Sequence, residues 1–167
     1  MIAIQEVVQH EFETIREIAY KTWPATYGEI LEKHQLDYML DAFYSVKVLE
    51  QNAKEKNHHF LLAKENDIAL AFISYEHHYQ NKPVTRIHKI YILPETQGKG
   101  IGKLLIDHVE VLAVTNESET LSLNVNRFNK AQFFYKKLGF EIVAAEDVPL
   151  DHGYLMEDYI MEKPLVS

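Results

Sequence analysis

The first third of the chain follows an opening strand with three helical stripes of apolar residues. Residues 2–8 alternate weakly between apolar and polar side chains, as a strand does. The apolar residues of the first helix recur at helical spacing, and Pro24 predicts its end. Ser45 is the expected N-cap of the third helix. The three stripes are Phe12, Ile15, Ile18, Ala19 and Thr22, then Leu36, Met39, Leu40 and Phe43, then Val48, Leu49 and Ala53.

Short apolar runs bounded by turn residues predict strands in the rest of the chain. Residues 60–63 and 68–75 form a predicted hairpin, and 85–93 form the next strand. A helix over 100–114, a strand over 121–125 and a short helix over 131–138 follow, with strands over 140–144 and 154–161. The order β-α-α-α-β-β-β-α-β-α-β-β predicts an α/β fold in one domain, 1–167, with a mixed sheet flanked by helices on both faces.

Composition narrows the classes of function. The 167 residues contain no cysteine, which rules out disulfides, a thiol nucleophile and cysteine-based zinc sites. We find no signal peptide and no apolar stretch of about 18 residues, so we expect a cytoplasmic protein without a membrane span. A net charge of −8 argues against nucleic acid as a partner and favours cationic small molecules.

The most informative segment is the glycine-rich turn between Gln97 and Lys103, where a strand leads into a helix. The first N–H groups of a helix lack intrahelical partners and attract an anion. Gly98 and Gly100 let the backbone approach a phosphate, and Lys99 adds positive charge. The pattern fits neither a Walker A loop nor the dinucleotide fingerprint. A phosphate site is predicted, and a tight turn without ligand is the alternative.

Two motifs then resemble a known family. Gln97-Gly98-Lys99-Gly100-Ile101-Gly102 matches the Q/R-x-x-G-x-G/A signature of the GNAT N-acetyltransferases, and residues 126–140 resemble that family's second signature. The resemblance is close over residues 86–140 and extends in layout over 2–163. It implies a GNAT-like fold in which two central parallel strands splay apart, with the pantetheine arm of acetyl-CoA between them.

By this resemblance the cofactor would contact both motifs and the preceding strand. The edge of that strand would pair with the pantetheine arm, and the turn would hold the pyrophosphate. Asn129 would bond the cofactor, although a helix N-cap is an equal explanation and both can hold. The implied cofactor-binding residues are Ile90, Tyr91, Ile92, Gln97, Gly98, Lys99, Gly100, Ile101, Gly102, Lys103, Asn129 and Tyr135.

The chemistry requires an uncharged amine and a proton for the leaving thiolate. Tyr135 matches the tyrosine that the family often places near the CoA sulfur, and it is the candidate acid, with a core aromatic as the alternative. A strand N–H near Tyr91 or Ile92 would serve the thioester oxygen. His88 is the candidate base, and a water chain is the alternative. Strand alternation predicts His88, Ile90 and Ile92 on one face, opposite Ile87, Lys89 and Tyr91.

Three aromatic residues are candidates for the acceptor pocket: Trp23, Tyr27 and Tyr154. The alternative is that they only pack loops. The pairs His58-His59 and His77-His78 do not predict a metal site, because adjacent strand residues point to opposite faces. We therefore expect no metal.

These features predict an acetyl-CoA-dependent N-acetyltransferase in which a primary amine attacks the thioester directly. A small molecule or polyamine is the favoured acceptor. Protein N-termini or lysines, and a non-catalytic acyl-CoA-binding module, are the alternatives. The sequence lacks the Walker A motif that would indicate a nucleotide hydrolase or kinase. A homodimer is expected only from the family resemblance.

Overall fold

A computed structural model describes residues 1–165, whose elements follow the predicted order. Their seven strands are β1 (Ile2–Glu6), β2 (His59–Glu65), β3 (Ile68–Glu76), β4 (Val84–Ile92), β5 (Thr120–Asn126), β6 (Glu141–Pro149) and β7 (Leu155–Pro164). Their five α-helices are α1 (Phe12–Tyr27), α2 (Lys33–Tyr44), α3 (Val46–Glu55), α4 (Ile101–Thr115) and α5 (Ala131–Lys137). Among these residues, no helix has the length and apolar character that a membrane crossing requires.

The seven strands form one sheet in the order β1-β2-β3-β4-β5-β7-β6. β4 and β5 run parallel, and every other neighbouring pair is antiparallel. The side chains of β2 alternate between two hydrophobic cores, one on each face of the sheet. Phe60 and Leu62 pack against the helices α1 to α3, whereas Leu61 and Ala63 pack on the opposite face with α4. The predicted mixed sheet with helices on both faces is therefore confirmed.

β4 and β5 are hydrogen-bonded partners only in their first halves. Residues 84–87 pair with residues 120–123, and the pairing ends there. On its other edge β4 stays paired with β3 as far as Ile92, which lies opposite Ala71. The β5-facing edge of residues 90–92 consequently has no strand partner, and a gap opens in the middle of the sheet.

Pro24 does not end the first helix, contrary to the prediction. α1 continues to Tyr27, and the N–H of Gly28 still donates to the carbonyl oxygen of Pro24 at 3.0 Å. A proline inside a helix costs about 3 kcal/mol. Trp23 beside it is only 3% exposed, and burial of so large an apolar side chain contributes enough to keep the helix intact. Tertiary packing overrides the local signal.

The alternation predicted for β4 is wrong around His88. Tyr75 pairs with Ile87 and Ser74 with Lys89, so His88 is an extra residue that forms a β-bulge. The bulge shifts the two-residue period by one. Ile87 therefore packs in the same core as Ile90 and Ile92, and not on the face opposite to them.

The last two strands are longer than predicted. β6 covers Glu141–Pro149 instead of 140–144, and β7 covers Leu155–Pro164 instead of 154–161. β6 is the edge strand of the sheet, and nearly all of its residues are exposed. A strand without a buried face carries no alternation signal, which explains the short prediction.

Candidate active site

A cleft of about 810 Å³ lies where β4 and β5 separate. Residues 87–92 form one wall and residues 123–125 the other. The N-terminal turn of α4, part of α5 and the segment that ends α1 complete the lining. This volume is within the range of about 300–1,000 Å³ that is usual for small-molecule sites. The cleft is thus a direct consequence of the splayed strands.

The glycine-rich turn at one end of the cleft depends on its glycines for two different reasons. Gly98 and Gly100 adopt φ values of +89° and +75°, which other residues reach only under strain, and no atom lies within 4 Å of a Cβ placed on either. Gly102 is instead required for packing, because a Cβ there would lie 3.0 Å from both Ile92 Cδ1 and Phe134 Cζ. The turn keeps its backbone open to the cleft while the helix packs tightly behind it.

The first turn of α4 offers donors with no protein acceptor. The backbone N–H groups of Ile101, Gly102 and Lys103 make no hydrogen bond to any of residues 1–165, and Gly100 at the N-cap has no capping side chain. The same turn contains no acidic residue. Partial positive charge at a helix N-terminus therefore faces the cleft, where a phosphate group fits. Gln97, Gly98, Gly100, Ile101 and Gly102 all line this part.

The two lysines of the turn are not part of the lining. Lys99 is exposed, and Lys103 Nζ lies 2.6 Å from Asp107 Oδ2 in a solvent-exposed ion pair. Such a pair contributes little to stability. Both lysines therefore add positive charge near the turn without lining the cleft.

Asn129 and Tyr135 lie on the opposite side of the cleft, at the start and middle of α5. The Asn129 Oδ1 atom accepts a hydrogen bond from the N–H of Ala131 at 2.9 Å, although the N-cap of α5 is Lys130 and not Asn129. Tyr135 is 8% exposed, and burial raises the pKa of its hydroxyl. The phenol therefore keeps its proton throughout the neutral range and can act only as a donor or neutral acceptor.

His88 lies on the β4 wall in contact with two other polar side chains. Its Nε2 atom is 3.0 Å from Glu76 Oε1, and its ring stacks on that of His58 with centroids 3.9 Å apart. Burial is the main cause that lowers the pKa of His88 to about 2. The imidazole is consequently neutral at any physiological pH, and its affinity for a further proton is low.

The sequence matches a profile described as the Acetyltransferase (GNAT) family over residues 12–140. The chain belongs to the GNAT acetyltransferase family. This GNAT enzyme is 27% identical to the Spermidine N(1)-acetyltransferase of Thermoplasma acidophilum, with 99% of each chain covered. It is 30% identical to the 5-NmdU N-acetyltransferase of Pseudomonas phage PaMx11, over 75% of this chain and 87% of that one.

Solved structures place the GNAT chain in the same fold. The crystal structure of the PaiA N-acetyltransferase from T. acidophilum in complex with coenzyme A has a TM-score of 0.81 and 25% identity, covering 98% of this chain and 99% of that one. A match to the peptidyl-lysine N-acetyltransferase YjaB of Salmonella typhimurium is 40% identical but spans only 38% of that protein. The predicted family, fold and enzyme class, N-acetyltransferase, are therefore confirmed.

The three aromatic residues predicted for the acceptor pocket of this GNAT enzyme lie in different surroundings. Tyr27 lines the cleft, and its ring packs on Trp23 with centroids 4.6 Å apart. Trp23 itself is buried in the core under α1 and does not line the cleft, because the helix continues past Pro24 and turns the indole inward. Tyr154 lies outside the lining, 5.5 Å from the ring of Tyr38. Only Tyr27 faces the cleft.

Asn124 is a cleft residue that the sequence analysis missed. Its Nδ2 atom donates to Asp158 Oδ2 at 3.2 Å and to Glu146 Oε2 at 3.3 Å, which fixes the orientation of the amide. The Oδ1 atom is buried and has no partner among residues 1–165. Asp158 is 3% exposed, and burial raises the pKa of its carboxyl. In the sequence, polar residues alternate with Leu121, Leu123 and Val125, and this alternation was the signal that could have placed Asn124 on the opposite face of the strand.

Proposed function

We propose that this GNAT enzyme is an acetyl-CoA-dependent N-acetyltransferase that acts on a primary amine of a small molecule or polyamine. The observation that carries the proposal is the set of unpartnered N–H groups at the start of α4, open to a cleft between two diverging strands. Those donors suit a pyrophosphate, and the unpaired edge of residues 90–92 suits an extended, amide-containing arm. The coenzyme A bound by the PaiA relative supports the same assignment.

On this proposal the chain holds the cofactor mainly through its backbone. Residues 97–102 would take the pyrophosphate, and Ile90, Tyr91 and Ile92 would take the pantetheine arm. Asn129 would add a side-chain contact from the opposite wall. Acetyl-CoA supplies the acetyl group as a thioester, which an uncharged primary amine attacks directly. Lys99 and Lys103 would contribute long-range attraction for the phosphates rather than direct bonds.

Tyr135 is the proposed acid for the leaving thiolate. It lines the cleft, and its raised pKa keeps the hydroxyl protonated. A thiolate with a pKa of about 8.5 gains from a nearby proton donor at neutral pH. The hydroxyl therefore donates a hydrogen bond to the sulfur as negative charge leaves the reacting carbonyl, and any proton that it transfers is replaced by the proton that water takes from the amine.

The acceptor side of the cleft is suited to an amine. Asn124 presents only its oxygen, because both hydrogens of its amide are committed to Asp158 and Glu146. A buried acceptor without a partner is costly unless a ligand supplies an N–H. The two carboxylates that accept from the amide nitrogen of Asn124 and the net charge of −8 favour a cationic ligand. The spermidine acetyltransferase among the relatives supports this class of acceptor.

The proposal assigns no protein base to the acceptor. His88, the candidate from the sequence, has its pKa lowered to about 2 and its Nε2 atom 3.0 Å from Glu76, so it is a weak base for an alkylammonium. Water in the open cleft instead takes the proton of the amine. His88 remains a neutral part of the wall.

An acceptor screen with thiol detection tests the function. The full chain is incubated with acetyl-CoA and a panel that contains spermidine, other polyamines, small primary amines, and peptides with a free N-terminus or lysine. We expect thiol release with a polyamine or small amine. Release with peptides alone would establish the protein-acceptor alternative. Calorimetric binding of acetyl-CoA without release by any amine would support the non-catalytic module.

A further inference from the structure

Three side chains from different parts of the fold bring ligand-type atoms together beside the cleft. His58 precedes β2, Glu76 ends β3, and His88 is the bulge residue of β4. One nitrogen of each histidine and one carboxylate oxygen all lie within 4.8 Å of one another. His88 Nε2 is 3.0 Å and His58 Nε2 is 3.7 Å from the same oxygen, Glu76 Oε1. We call these three residues the His-Glu-His cluster.

The distances are close to the spacing of ligands around a small metal ion. Tetrahedral Zn²⁺ holds nitrogen and oxygen ligands at about 2.0–2.2 Å, so neighbouring ligand atoms lie about 3.3–3.6 Å apart. The two distances to Glu76 Oε1, 3.0 and 3.7 Å, lie on either side of that range. Two imidazole nitrogens and one carboxylate oxygen also form a frequent three-residue ligand set of zinc sites that keep one position for water.

Hydrogen bonding alone leaves part of the cluster unexplained. His88 is within hydrogen-bond distance of Glu76, but His58 Nε2 at 3.7 Å is too far for such a bond. The other ring nitrogen of His58, Nδ1, is buried and has no partner within the described part of the chain. The side chain of His58 is only 9% exposed. The nitrogen of His58 that faces Glu76 therefore has no hydrogen bond to the cluster, and it can coordinate a ligand there.

Nearby charges also affect how a cation would bind to the cluster. The positive charges that face the cluster are Lys56, Lys89 and Arg86. They oppose a dication, and the carboxylate of Glu76 partly offsets them.

We propose that His58, Glu76 and His88 bind one divalent transition-metal ion, with Zn²⁺ as the best match, and that water takes the remaining position. The rings are nearly parallel, 13° apart, and the lone pairs of parallel rings do not converge. Binding therefore requires the stacked rings to rotate apart. The site does not depend on acetyl transfer, and its test needs no acetyl-CoA.

Zinc titration of the full chain tests the site. The protein is dialysed against EDTA and titrated with Zn²⁺ in competition with a chromophoric chelator. We expect one equivalent to bind, and each of His58→Gln, Glu76→Gln and His88→Gln to weaken binding by about 100-fold or more, since even outer-shell changes cost about 10- to 100-fold. Co²⁺ serves as a second probe, because a tetrahedral site gives it intense visible absorption.

A second pair of histidines provides the matched control. His59 and His77 have ring centroids 5.6 Å apart but belong to no three-residue ligand cluster within residues 1–165. The double variant His59→Gln/His77→Gln should bind Zn²⁺ like the unmodified chain. Absence of one-to-one binding would overturn the proposal, as would binding that survives Glu76→Gln. Glu76→Gln preserves size and hydrogen bonding, so it decides the question if a histidine variant fails to fold.

Discussion

The two ends of the cleft are built in different ways. At the proposed cofactor end, the donors are backbone N–H groups of one continuous segment, from the glycine-rich turn into the start of α4. At the proposed acceptor end, the side chain of Asn124 on β5 lines the cleft, and its amide is held by two carboxylates outside the lining, Glu146 on β6 and Asp158 on β7. A backbone site is fixed by a local motif and tolerates few changes. A site of side chains from several strands can vary its acceptor while the sheet stays the same.

The difference predicts that the largest effect on turnover comes from one hydroxyl between the two ends. Tyr135→Phe should lower kcat by about 100-fold or more and lower acetyl-CoA affinity much less, because a general acid acts in the chemical step. Steady-state kinetics and calorimetry measure the two quantities. Tyr44→Phe is the control, since Tyr44 is also buried and its pKa is also raised, but it does not line the cleft. Normal turnover of Tyr135→Phe would remove it as the acid.

A pair of glycine variants separates the cofactor end from general backbone strain. Gly100 and Gly153 share the same φ of +75°, and a Cβ on either meets no atom within 4 Å. Valine at either position should cost about 1–3 kcal/mol of stability through strain. Only Gly100→Val should also weaken acetyl-CoA binding, by about 10- to 100-fold, through displaced hydrogen bonds to a charged ligand. Equal calorimetric affinities in the two variants would show that the turn does not hold the phosphates.

The side-chain amide of Asn124 should affect binding of the acceptor amine and not binding of acetyl-CoA. Asn124→Ala removes the unpartnered acceptor atom together with the two hydrogen bonds that the amide donates to Asp158 and Glu146. We expect KM for the amine to rise by about 3- to 10-fold, the usual value of one neutral hydrogen bond to the ligand. Affinity for acetyl-CoA should not change. Asn116→Ala is the control, because its amide bonds only the carbonyl of Leu112 at the far end of α4. An unchanged KM for Asn124→Ala would place the acceptor elsewhere in the cleft.

The same difference explains which residues of the candidate site could be predicted from the sequence. The turn and Tyr135 lie within two contiguous motifs, so their residues were identified directly. Asn124, Glu146 and Asp158 meet only through the pairing of β5, β7 and β6, which strand patterns do not specify. The histidine pairs were judged as dipeptides, and no metal site was predicted from them. His58, from the first pair, stacks on His88, and the β-bulge that positions His88 is not predicted by the local sequence pattern.

The smallest expected effect is a dependence of stability on pH that arises beside the acceptor end. The pKa values of His58 and His88 are lowered from 6.5 in the folded chain. Below pH 6.5 the unfolded chain therefore binds more protons at these residues than the folded chain does. Their contribution is fully present above pH 6.5 and is lost as the pH falls toward 4. The ion pair of Glu11, whose pKa is lowered from 4.5, weakens only below that value, so the two windows differ.

Urea unfolding at pH 7 and at pH 5 measures this dependence in the metal-free protein. Burial raises the pKa values of Glu76 and Asp158, which act in the opposite direction, so a difference between variants is needed. His88→Gln should lose less stability between the two pH values than the unmodified chain does. Acetyl-CoA affinity should change little over the same interval, because backbone N–H groups do not titrate. Equal losses with and without His88 would show that the acceptor end is no more sensitive to pH than the cofactor end.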